Sequence, residues 1–259
     1  MIRKRSLICQ AAKKNSSGDD TDNLPERGGN GNVIGSAGLF LLWGGLAAYA
    51  FLLSPNQTPL RDQYFIEKVV GLTSDSVPLN AVFYNLFFIM GIWPLIYTAL
   101  LVPAAKSRNG VPAWPFFTLS YAVGAFGLLP FMALWQPLEK APKLPPKKED
   151  LEGIGNLLGR GMESPILPWF LLGGSLFCIG SAATAGGAAW AEYFRLLQES
   201  RLVHVTTVDF LTLTTLAPFW MENDAQLRNW EGRDSLLPVL SFIPVVGPAL
   251  YLCLRPKAE

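Results

Sequence analysis

One aspartate and the chain's single histidine are the only ionisable groups in the otherwise apolar run Val203–Met221. Asp209 has Thr206 three residues before it and Thr212 three residues after it, so a helix would carry the three as a polar line on one face. A carboxylate placed inside a bilayer costs at least about 3 kcal/mol, and it persists where it does work or where a partner satisfies it. Two readings are open for Asp209: a functional intramembrane acid, or a polar lock that fastens helices together. His204 lies five residues earlier, roughly 140° around the helix, and does not share that face. It reads either as a hydrogen-bonding group near the helix end or as a lone axial ligand to a chlorophyll magnesium or haem iron.

Other chemistry is largely excluded. A single histidine rules out bis-histidine haem, HExxH zinc chemistry and histidine-rich di-metal sites. There is no GxSxG, no P-loop, no Cys/His pair and no aspartate-rich cluster, so no catalytic residue and no metal site is assigned. Cys9, Cys178 and Cys253 are too few and too scattered for a disulfide framework. A net charge of +1 gives no field for nucleic acid. Ser181, Ala185 and Ala189 recur every fourth residue and make a smooth face for close helix approach. That face serves packing within the protein, or else a groove for a flat pigment or a seam with a partner subunit.

The elements that must position these groups are apolar. In chain order, Val33–Leu53, Ala81–Val102, Phe116–Trp135 and Trp169–Trp190 are the first four runs and Leu236–Leu254 the sixth, all free of charge; Val203–Met221 is the fifth run. About twenty helical residues cross the roughly 30 Å hydrocarbon core of a bilayer. The expected fold is therefore all-α: a polytopic membrane helix bundle of about six transmembrane helices over residues 33–256, after a targeting or disordered segment, 1–32. Trp114 and Trp135 bracket the third run, and Trp169 and Trp190 the fourth. Each pair is 21 residues apart, about 31 Å along a helix, as two interfacial aromatic belts require. The sixth run holds Pro238, Pro244 and Pro248, which leaves a re-entrant or surface element open. Arg61–Leu72 reads as a short amphipathic surface helix, and Ala191–Leu202 as an outward continuation of the fourth helix. With six spans and the N-terminus on the synthesis side, 12 Lys/Arg lie there against 9 opposite, and both termini are assigned to that side.

The motifs Gly91-Ile-Trp93-Pro94, Val111-Pro112-Ala113-Trp114-Pro115 and Val123-Gly124-Ala125-Phe126 resemble those of an uncharacterised membrane-protein family of cyanobacteria and plastids. Ser200-Arg201, Val208-Asp209-Phe210 and Gly247-Pro248 extend the resemblance over most of residues 35–256. It implies a chloroplast, thylakoid location and makes the basic, acid-poor N-terminus a transit peptide. A fainter similarity joins His204 and Asp209 to the plastid membrane proteins of neoxanthin synthesis, named for abscisic-acid deficiency. Two functions follow as expectations. One is a non-enzymatic protein assisting assembly or stability of a photosynthetic complex, with photosystem subunits or assembly factors as partners and chlorophyll or carotenoid held transiently. The other is an intramembrane enzyme or binding protein for a carotenoid or similar lipid, with Asp209 as proton donor or acceptor and His204 as its helper.

Overall fold

The computed structural model describes residues 29–102, 106–107, 111–136 and 161–256. The basic N-terminal segment and most of the Lys/Pro-rich connection after Glu139 lie outside the described residues. The chain divides into the units Met1–Ile34 and Gly35–Glu259, and every tertiary contact described below belongs to the second.

Among the described residues the regular structure is helical apart from one two-residue strand pair, with turns and loops between the elements. The helices are α1 (Gly29–Ala48), running on through a π-turn at Tyr49–Leu53, α2 (Pro59–Val69), α3 (Ala81–Leu101), α4 (Trp114–Val123) and α5 (Ala125–Leu134). They continue with α6 (Leu167–Ala183), α7 (Gly187–Glu199), α8 (Arg201–Leu227), α9 (Leu237–Ser241) and α10 (Val246–Leu254). Strands β1 (Lys106–Ser107) and β2 (Trp135–Gln136) pair antiparallel. Three helical stretches are long and apolar enough to cross a membrane: Gly35–Leu53, Ala81–Leu101 and Arg201–Leu227. A fourth is reached if α6 and α7 count as one span, but their axes turn through 99°.

Helix α3 is the hub. Asn80 caps it, accepting from the amides of Val82 and Phe83 at 3.1 Å, and Trp93, Ile96, Tyr97 and Leu100 are wholly buried on it. It packs against α6 and α8, and the Tyr97 hydroxyl donates to the Leu213 carbonyl of α8. Large apolar side chains on the outside stay uncovered, among them Leu41, Leu52, Phe170, Phe177 and Phe242.

The third and sixth apolar runs are not straight helices. The third breaks at Gly124 (φ +55°, ψ −127°) and folds back on itself: Phe117 meets Phe131 at 5.2 Å between ring centroids, and a Cβ on Gly127 would stand 2.7 Å from the Ser120 amide nitrogen. Each arm has ten residues and is about 15 Å long, half a bilayer. Trp114 and Trp135 therefore lie at one end of a hairpin, not 31 Å apart. The sixth run breaks at Phe242–Val245, where Val245 takes φ +51°, and α10 returns along α9 so closely that a Cβ on Gly247 would meet the Leu240 carbonyl oxygen. The fourth run ends at Ala183, and Gly186 (φ +86°) turns α7 away, so the Trp169–Trp190 spacing does not measure a span either. Helix α2 forms where an amphipathic surface helix was expected, with Pro59 at its first turn.

The path of the chain follows from its contacts along α8. Tyr49, Asp62 and Glu199 gather at the Arg201 end, while Ala99, Glu163 and Arg255 gather at the Leu227 end. Both hairpins have their bases at the Leu227 end: Trp135 stacks edge-on against Trp220, and Tyr251 against Trp230. Single cysteines at Trp114 and Gln136, in a chain whose native cysteines are replaced by alanine, should be labelled by a membrane-impermeant maleimide from the same side. Labelling from opposite sides would restore a straight third helix.

Candidate functional site

Helix α8 starts where Ser200 accepts from the Val203 amide (3.1 Å) and Asp62 of α2 accepts from the Leu202 amide (3.0 Å). From that end, Arg201, Leu202, Val205, Thr206 and Asp209 turn one stripe of α8 toward a cavity of about 1270 Å³. The opposite walls come from α1 (Trp43, Ala47), from α3 (Phe87, Gly91) and from the α4/α5 hairpin (Ser120, Gly124). The cavity is open on one side and mainly apolar. Its charged residues are Asp62, Glu67 and Arg201 around the Arg201 end, and Asp209 about 12 Å deeper along α8.

Asp209 is buried, and its role is defined by the hairpin tip. Its Oδ1 accepts from the Ala125 amide at 2.7 Å, the first orphan N–H of α5. A Cβ on Gly124 would come within 1.7 Å of Oδ2, so the tip needs glycine both for its positive φ and for the carboxylate pressed on it. The Trp43 indole N–H adds a bond to the Phe126 carbonyl (3.0 Å). Asp209 thus acts as an N-cap supplied from another helix. Oδ2 accepts no hydrogen bond among the described residues.

The other residues singled out in the sequence are distributed as follows. Thr206 lines the cavity beside Asp209, whereas Thr212 donates to its own helix, to the Val208 carbonyl (2.8 Å). His204 does not join Asp209. Its Nδ1 meets the Leu197 carbonyl at 2.8 Å, which fixes the proton on that nitrogen, and its Nε2 lies 2.6 Å from the Tyr49 hydroxyl. Both ring nitrogens are engaged, so neither is left to ligate a metal in this arrangement. Ser181 lies on α6 and accepts from Asn85 (3.0 Å), but Ala185 falls in the bend and Ala189 on α7, where its carbonyl accepts from Asn80 (2.8 Å). The face read as continuous is two surfaces, both held against α3. Among the described residues no group of three or more His, Cys, Asp or Glu is placed to hold a metal ion.

Sequence reasoning missed a second polar centre, at the Leu227 end. Glu163, Asp224, Arg228 and Arg255 form a buried cluster with side chains 1–2 % exposed. The Arg228 guanidinium reaches both carboxylates, at 3.0 Å to Asp224 and 2.5 Å to Glu163. Arg255 bridges the same two acids at 2.9 and 3.1 Å and also donates to the Ala99 carbonyl. Tyr251 completes the shell of Asp224 with a 2.7 Å bond. Burial alone would lower the Arg228 pKa, but Asp224 and Glu163 more than offset that and hold it raised. Among the described residues two acids face two bases, the pairing that buried charges need. Only Asp224 and Arg228, four residues apart, carried a signal in the sequence; residues 163 and 255 lie too far away for spacing to link them.

Comparison with known protein families, with curated proteins and with solved structures finds no match.

Two outcomes follow from this geometry. Gly124→Ala should lower the thermal midpoint of the detergent-solubilised protein by several degrees, through a strain of at least about 2 kcal/mol, while Gly91→Ala, with open space at its Cβ, leaves it within a degree or two. Asp209→Asn keeps an acceptor for Ala125 and should destabilise less than Asp209→Ala, which strands that amide at about 1–3 kcal/mol. In the cluster, Arg255→Met should cost about 3–5 kcal/mol because it leaves a buried negative charge; pairing it with Asp224→Leu should recover part of that loss in a double-mutant cycle.

Proposed function

We propose that the protein is a multi-pass thylakoid membrane protein that holds a pigment or lipid without transforming it, in support of the assembly or stability of a photosynthetic complex. The observation that carries this reading is the open apolar cavity. Its volume of about 1270 Å³ exceeds the roughly 300–1,000 Å³ usual for small-molecule pockets and suits a long apolar ligand such as a carotenoid. Its one deep ionisable group is already bound to a backbone amide, and the histidine that could have assisted it is tied elsewhere. A binding role needs no more than that. The plastid location rests on the family resemblance of the motifs around Trp93, Trp114 and Asp209 and on the basic, acid-poor N-terminus.

In this reading α1, α3, α6 and α8 cross the bilayer, α2 and α7 lie at one surface, and the α4/α5 and α9/α10 hairpins re-enter from the other. Lys and Arg support the arrangement. Of the 15 after residue 35, Arg61, Lys68, Arg195 and Arg201 belong to the Arg201 end, and the other eleven fall in sequence between or after helices whose described ends meet at the Leu227 end. The positive-inside rule then makes the Leu227 end the synthesis side. This is a far steeper bias than six straight spans provide.

The test is mild-detergent purification of tagged protein from thylakoids, with absorption spectra and mass spectrometry of what comes with it. Gly91→Leu, which grows a side chain into the cavity from a site with free space, should cut the co-purifying pigment or lipid several-fold while the protein stays folded. Retention of the same ligand at the same stoichiometry would remove the cavity from the proposal. A second reading is favoured by the uncommitted Oδ2 of Asp209 on the cavity wall: proton transfer to a bound carotenoid or similar lipid. There Asp209→Asn abolishes a product while the protein's abundance is unchanged.

A further inference from the structure

We infer that the cavity takes an amphiphile with an anionic headgroup, seated on Arg201 with its apolar chain running down toward Asp209. The inference rests on the cavity-binding reading above and narrows its ligand class. Nearly every cation packed into the described structure has an acid of its own. Arg61 pairs with Glu199 at 2.8 Å, Lys68 with Asp75, Arg233 with Glu222 at 2.6 Å, and Arg228 and Arg255 with the buried cluster. Arg195 has none but is exposed on α7, where water satisfies it. Arg201 is different. It is half-buried and lines the cavity, and it forms no ion pair or hydrogen bond among the described residues; its Nε, like that of the Glu199-paired Arg61, is shut off from solvent with no acceptor. A shielded guanidinium N–H without a partner is costly, and a ligand oxygen would relieve it.

The neighbouring acids do not fill that role. Asp62 accepts from the Thr58 hydroxyl (3.3 Å) and the Leu202 amide (3.0 Å) and forms no ion pair with Arg201 among the described residues. Glu67 accepts from Gln63 (2.8 Å). Arg201 also opens the 27-residue helix α8, whose N-terminal dipole adds positive potential at the same point. Below it the stripe Val205–Thr206 and the walls from Phe87 and Gly91 offer hydrocarbon surface. A phosphate, sulfonate or carboxylate at the mouth with an acyl or prenyl tail beneath it matches this polarity; a wholly neutral carotenoid leaves Arg201 unsatisfied.

The test uses the purified full-length chain in nanodiscs or micelles and native mass spectrometry. Phosphatidylglycerol, phosphatidylcholine with the same acyl chains, and β-carotene are supplied together. The wild type should retain phosphatidylglycerol at least tenfold over the other two. Arg201→Gln should erase the preference, Arg201→Lys keep most of it, and Arg195→Gln leave it intact. Wild-type binding without a preference, or a preference that survives Arg201→Gln, would overturn the headgroup assignment while the cavity reading stands. Displacement of the lipid by millimolar inorganic phosphate would overturn it too, in favour of a free anion. Failure of the wild type to retain any of the three would sink both readings.

Discussion

A helix that begins inside an apolar interior begins with amides that nothing nearby can satisfy. The α4/α5 hairpin creates that problem at Ala125, and the Asp209 carboxylate solves it from across the fold. Everything around the cavity depends on this contact. It sets the depth of the hairpin tip, demands glycine at position 124, and turns the stripe Arg201–Val205–Asp209 of α8 into one wall with the hairpin as another. Irregular backbone at such a depth is tolerated only where protein groups surround it, and here a carboxylate and the Trp43 indole supply them.

Helix α8 is fastened at both ends by different physics. At Arg201 the ties are caps and single hydrogen bonds: Ser200, Asp62 and the Tyr49–His204 pair. These are individually modest, about 0.5–1.5 kcal/mol each, and they leave the cavity mouth open. At Leu227 the tie is a cluster of four buried charges, geometrically exacting and shared by three segments of the chain. The base of α8 is thus held by buried charge and its rim by single hydrogen bonds.

Much of the apolar architecture could be read from hydropathy, but its direction could not. Two ten-residue arms and a one-residue turn have the same length as one crossing, so Trp114 and Trp135 mimic the two belts of a straight span. The cue was local: Gly124 amid apolar residues, and in the sixth run the prolines 238, 244 and 248, which did leave a re-entrant element open. Asp209 stood out because a carboxylate in such a run needs a reason. Its partner stayed hidden because a backbone amide 84 residues away has no sequence signature. The 140° between His204 and Asp209 that their spacing implies sends one toward Tyr49 and the other toward the hairpin tip. The buried cluster left no cue because Glu163 and Arg255 sit in polar stretches whose folding no periodicity reports.

The four-charge cluster also imposes an order in time. Glu163, Asp224 and Arg228 leave the ribosome before Arg255, and until it follows they hold an unbalanced negative charge that a dry interior rejects. The Leu227 end must therefore stay hydrated through most of synthesis, with α9 and α10 unseated. Arg255, which bridges both acids, is the member that joins the distant parts of the cluster, so its four charges leave water together.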